Sequence, residues 1–126
     1  MPAPVDESHL DYTSYHRAAA QRVTEERRAL RARYQRAWKV ARHAADVLRE
    51  HYTVQRVVLF GSLLDQERFK AHSDVDLAVW GIGWPAYLHA LGEMLELDEE
   101  IEVNLVDIAC SHPLLREVIE REGREL

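Results

Sequence analysis

One cysteine, four prolines and five glycines in 126 residues leave this chain few staples and few breaks. A lone Cys110 excludes an internal disulfide and argues against a cysteine-built zinc site. No apolar run approaches the roughly 18 residues that span a bilayer, which removes membrane passage from the expected functions. The opening Met1 to Leu10 is polar and acidic, unlike a signal or transit peptide, so the expected location is the cytoplasm. Positive charge is scarce in one half only. Residues 51–126 hold six Lys and Arg against fifteen Asp and Glu, a balance of −9, whereas residues 1–50 hold ten against seven, a balance of +3. The acidic half is unsuited to a phosphate backbone, and direct nucleic-acid binding is not expected. The arginine-rich half suits an acidic partner or substrate phosphates.

Breakers are absent altogether between Tyr12 and Tyr52. That stretch is rich in Ala, Arg, Glu and Leu, all strong helix formers, and a helical segment over 12–52 is expected after a loose arm over 1–11. Leu30, Tyr34, Ala37, Ala41, Ala44, Ala45 and Leu48 recur at helical steps, so residues 30–51 should pack on the domain. Before Leu30 the stripe thins among Arg22, Glu25, Glu26, Arg27 and Arg28. That part reads as a solvated helix, or as a surface completed by a partner or a second copy of the chain.

The remaining stretch, 53–126, alternates strand and helix signals. Arg56 to Phe60 is short and apolar on both faces, which suits an interior strand. Gly61-Ser62 turns into a short helix expected from Leu63 to about Arg68. Val75 to Trp80 is a second strand closed by Gly81-Ile82-Gly83. A helix entered at Pro85 should bury Leu88, Leu91 and Leu95. Glu102 to Ile108 alternates as a third strand, and Ser111 and Pro113 open a last helix ended by Gly123. The order predicts an α/β domain with a small mixed sheet flanked by helices, preceded by the long N-terminal helix.

Two pieces of this pattern carry chemistry. A glycine behind a buried strand lets backbone approach a ligand closely, and a serine at a helix start presents a hydroxyl beside free amides that favour phosphate. Asp74 and Asp76, one residue apart, share a strand face, and like charges so close call for a cation between them. Carboxylate oxygens suit Mg²⁺. Gly-Ser alone marks many ordinary turns, and Asp-x-Asp alone is often a solvated strand start. Together behind apolar strands they describe a site for a nucleoside triphosphate with its metal.

Residues 57–79, VVLFGSLLDQERFKAHSDVDLAV, resemble the signature of the minimal nucleotidyltransferases of the DNA polymerase beta superfamily. The resemblance extends over most of 54–126 and implies a polymerase-beta-like nucleotidyltransferase fold. By that resemblance Gly61 and Ser62 hold the triphosphate, Ser73 supports the turn, and Asp74 and Asp76 bind two Mg²⁺ ions. Lys70, and less directly Arg68, lie in the spacer within reach of phosphate. The resemblance further implies transfer of AMP from ATP, often by an antitoxin onto a helical HEPN-type toxin. Three features depart from the family. Leu64-Asp65-Gln66 stand where relatives carry Ala-Arg-Gly-like residues, and the eleven residues between Ser62 and Asp74 make the spacer one residue longer than usual. More seriously, Asn104 aligns with the third carboxylate of the family. An amide carries no charge and accepts no proton from a hydroxyl. Glu102, on the face of Asn104, is the available substitute, and Asp107 should face away. Two expectations follow: an adenylyltransferase, or a binding module that neutralises a partner by contact. The seven histidines show no metal-ligand spacing, although His72 stands close to Asp74 in sequence.

Overall fold

A computed structural model describes residues 5–126, with side chains described from Tyr12 onward. Of the loose arm expected over 1–11, residues 1–4 lie outside the described residues, and 5–11 are helical, so the helix begins earlier than the expected Tyr12. The chain divides into two units, Met1–Ala32 and Arg33–Leu126. Helix α1, Val5–His51, contributes to both. In the first unit the side chains from Tyr12 to Ala29 are exposed except for the half-buried Ala19. This matches a sequence in which charge replaces the apolar stripe.

In the second unit the rest of α1 buries Ala37, Ala41, Ala44, Ala45 and Leu48 of the stripe read from helical spacing, with Val40 and Val47 beside them, while Tyr34 is half-buried. Strands β1 (Arg56–Phe60), β2 (Val75–Trp80), β3 (Val103–Asp107) and β4 (Arg124–Glu125) form one mixed sheet in the order β3-β2-β1-β4. β1 pairs antiparallel with β2 and with β4, and β2 pairs parallel with β3. β1 is thus interior, as its two apolar faces require. A parallel pair needs a crossover, here supplied by helix α2, Ala86–Leu95.

α2 corrects one expectation. Its buried residues are Ala90 and Met94, whereas Leu88 is 50% and Leu95 49% exposed. Residues four apart stack on one helix face, so Ala90 and Met94 share a side, and Leu88 and Leu95 lie about 100° or more round the helix from them. Tyr87 fixes the choice by donating its hydroxyl to the Leu105 carbonyl at 2.6 Å. His51 and Tyr52, at the end of α1, both reach Glu93 of α2 at 2.6 and 3.1 Å.

Three further boundaries differ from the sequence reading. The helix expected from Leu63 to Arg68 is only a 3₁₀ turn, Ser62–Leu64. The segment Asp65–Phe69 closes as a turn instead, the Asp65 carbonyl accepting from the Arg68 and Phe69 amides and its carboxylate from Glu67. Helix α3, Pro113–Glu122, is capped by His112, whose ring nitrogen accepts from the Leu114 amide at 3.1 Å. Ser111 turns back instead to the Ile108 carbonyl. β4 has no apolar alternation and arises only because α3 stops at Gly123. There a Cβ would meet Val58 Cγ1 at 2.3 Å, so only glycine lets the chain run this close to β1.

α3 lays Leu115 and Ile119 on Val58 and Ala78, joined by Phe60, Trp80 and Ile108. This cluster fills one sheet face up to the row Phe60, Asp76, Asn104 and leaves that row partly exposed at the sheet edge.

Candidate active site

The site is set by strand register. Asp76 of β2 pairs with Phe60 of β1 on one side and with Asn104 of β3 on the other. Cross-strand partners share a face, so the end of β1, the Asp76 carboxylate and the Asn104 amide come together. Asp74 stands one residue before β2, and Glu102 one before β3, where the Val75 amide donates to the Glu102 carbonyl at 3.0 Å.

Gly61 leaves β1 with φ 84° and ψ −157°, a conformation essentially restricted to glycine. A Cβ there would lie 2.4 Å from Asp76 Oδ2. Backbone and carboxylate are therefore in direct apposition, and Gly61 is needed on two independent grounds. Ser62 begins the 3₁₀ turn and is half-buried, with its carbonyl accepting from the Asp65 amide.

Asp76 is half-buried, and burial pushes its carboxyl above the usual range. The Asn104 hydrogen bond works against that shift and the Asp74 charge adds to it. Asn104 Nδ2 donates to Asp76 Oδ1 at 3.1 Å. Where the family resemblance places a third carboxylate, a donor instead satisfies one oxygen of the second. Two neighbouring carboxylates, one of them desolvated, fit a hard cation that completes its shell with water and phosphate oxygens. Among the described residues no three of His, Cys, Asp and Glu group to hold a metal.

A cavity of about 520 Å³ opens beside Asp74, lined also by Arg33, His72, Glu99 and Glu102. Asp74 and Glu102 thus meet across this cavity, while Asp76 and Asn104 meet on the sheet. Ser73 Oγ accepts from the Lys70 amide at 2.8 Å and so pins the turn before Asp74. Lys70 Nζ donates to the Glu67 carbonyl at 2.8 Å, within its own exposed loop. Arg68 is exposed on the same loop.

Arg33 is the residue that sequence reasoning missed. Its guanidinium donates to the Ser73 carbonyl at 2.9 Å and to the Glu100 carbonyl at 3.3 Å, tying the loop before β2 to the loop before β3. Beside it, Arg36 pairs with Asp98 at 2.9 Å and holds that carboxyl below its usual range. Asp98 also accepts from the Glu100 and Ile101 amides, shaping the approach to β3. An arginine next to an apolar stripe was the only available signal. Its partners are backbone carbonyls 40 and 67 residues away.

Among the described residues no helix is long and apolar enough to cross a membrane. No curated protein matches the chain. Solved structures of toxin-antitoxin complexes share its fold. A substituted form of the MntA-HpeT toxin-antitoxin is 21% identical with a TM-score of 0.55, over 68% of this chain and 70% of that one. A toxin-antitoxin with AMP-PNP is 22% identical with a TM-score of 0.57, over the same 68% and 70%. A second substituted MntA-HpeT is 24% identical with a TM-score of 0.53, over 65% and 67%. The family model for polymerase beta nucleotidyltransferases matches residues 43–126, from the packed part of α1 through β4, and the chain belongs to that family.

Proposed function

We propose that the protein transfers AMP from Mg²⁺-ATP to a hydroxyl on a partner protein, as the antitoxin of a pair whose toxin is of the helical HEPN type. The observation that carries this reading is the apposition of Gly61 to Asp76 Oδ2, next to Asp74. It joins a phosphate-accommodating turn to a paired carboxylate site. The toxin-antitoxin structures of the same fold, one of them with AMP-PNP, support a nucleotide and a protein partner.

Bound Mg²⁺ would neutralise charge on the triphosphate and polarise its α-phosphorus. Asp74 and Asp76 would hold it, and the Gly61-Ser62 amides and hydroxyl would receive the phosphates. The acceptor oxygen forms a bond to the α-phosphorus as the bond to the β-phosphate oxygen breaks, and pyrophosphate leaves. The hydroxyl proton needs a base. Asn104 cannot take it, so the role falls to Glu102, which lines the cavity with Asp74.

The Asn104–Asp76 hydrogen bond favours a second reading, a nucleotide-binding module that neutralises its partner by contact. Incubation with α-labelled ATP, Mg²⁺ and a helical HEPN-type protein separates the two. Transfer of label to the partner, abolished in Asp76→Ala, is the expected result. Neutralisation that persists unlabelled in both Asp74→Ala and Asp76→Ala would establish the contact mechanism instead.

A further inference from the structure

α2 turns one face to the sheet and leaves the other unpartnered. Leu88 and Leu95 are two turns apart and so lie in line, each about half exposed, with half-buried Leu91 between them. Trp84, 69% exposed, extends the stripe just ahead of the helix and lies 6.4 Å from the Tyr87 ring. Exposed apolar side chains occurring singly need no explanation, but a line of them along one helix marks an interaction surface.

The stripe leads to the site. Leu95 lines the same cavity as Asp74 and Glu102. Beyond Leu95 the chain runs Glu96, Asp98, Glu99, Glu100 and Glu102. Only Asp98 and Glu100 form ion pairs among the described residues, both with Arg36. Arg33 and Arg36 bring two positive charges against these five carboxylates, so the end of the stripe keeps surplus negative charge. An anionic membrane is repelled by that charge. Residues 81–95 hold no Lys or Arg, so a second copy meeting this face through its own would offer the acidic end no countercharge. A helix with leucines flanked by arginines or lysines is complementary in both respects.

We infer that the exposed face of α2, Trp84, Leu88 and Leu95, docks a basic amphipathic helix of the acceptor protein and delivers its hydroxyl to the cavity at Asp74. This rests on the transfer reading above and specifies the chemistry of its acceptor. Docking and nucleotide binding then involve different residues and fail separately.

The test uses the full chain and two synthetic helical peptides, each with leucines at i, i+3 and i+7, one flanked by arginines and the other by glutamates. Labelled-peptide anisotropy should show the arginine peptide binding about ten-fold tighter or more, since each 1.4 kcal/mol is tenfold. Leu88→Glu should weaken it by a similar factor. That outcome separates docking from general attraction, because the substitution makes the protein more acidic. Leu88→Ala, which inserts no charge, should weaken it less, and Glu99→Lys should weaken it with a reduced salt dependence. Binding of Mg²⁺-AMP-PNP should be unchanged in both Leu88 variants. Equal binding of both peptides, indifference to Leu88→Glu, or a dimer that Leu88→Glu dissociates would each overturn the docking surface. Absence of Mg²⁺-AMP-PNP binding in the unsubstituted protein would instead remove the transfer reading and the acceptor role with it.

Discussion

The two sides of Asp76 are built to different tolerances. On the β1 side stands Gly61, with a backbone conformation open only to glycine and no room for one more carbon. On the β3 side stands Asn104, an amide that reaches the same carboxylate by one side-chain hydrogen bond. The first side is fixed by excluded volume and backbone torsion, which allow no substitute. The second is fixed by one side-chain hydrogen bond, which an amide can donate and an ionised carboxylate cannot. The difference is one of kind: shape alone decides what can stand at Gly61, and hydrogen-bonding chemistry decides what can stand at Asn104.

The strongest way to break the comparison is Gly61→Ala. Strain in this backbone region costs about 1–3 kcal/mol before the clash with Asp76 Oδ2 is counted. Both a lower denaturation midpoint and loss of Mg²⁺-AMP-PNP binding are expected by titration. Unchanged binding would show that the apposition is incidental. Arg33→Ala tests whether the β3 side depends on the loops that position it. Hydrogen bonds from a charged donor contribute about 1.5–3 kcal/mol, so a loss of unfolding free energy of that order is expected from denaturant titration, with faster amide exchange at Val75.

Asn104→Asp sharpens the comparison from the other side. If the missing carboxylate limits turnover, label transfer should rise about ten-fold or more, within the range that a positioned base supplies. Apo stability at neutral pH should fall, because a second charge replaces the donor to Asp76. No change in rate would mean that Glu102 already suffices or that the site is inactive for another reason.

The smallest effect concerns the charge of Asp76 itself. Its carboxyl is raised in the folded protein by burial, so protons bind the folded state more tightly than the unfolded one. The contribution to stability is present below the ordinary carboxylate range and is lost as pH rises through the raised value. Asp76→Asn should therefore stabilise the metal-free protein at neutral pH, by less than about 1 kcal/mol for a half-exposed group. The gain should vanish in acid. A destabilisation at neutral pH would show that Asp76 is held by more than the Asn104 bond.

Much of this was legible in the residues. The apolar runs at Val57–Leu59 and Val75–Val79, the stripe of alanines in α1 and the turn glycines follow from local periodicity, and β1, β2 and β3 fall within about a residue of where it puts them. The α2 stripe was misread because both faces of that helix carry large apolar residues. Periodicity finds a face but does not say which of two is turned inward. β4 left no trace in composition, since two charged residues pair there only because β1 has a free edge.

The sequence by itself determined that a glycine turn and two aspartates follow apolar strands, and that an asparagine stands in the third strand. Those are statements about neighbours along the chain, and local sterics and charge are enough to read them. Only the tertiary structure decided that Gly61 touches Asp76, that Asn104 donates to it, that Glu102 faces the cavity with Asp74, and that Arg33 ties the two loops. These contacts depend on strand register and on groups up to 67 residues apart, and distance in sequence carries no record of either.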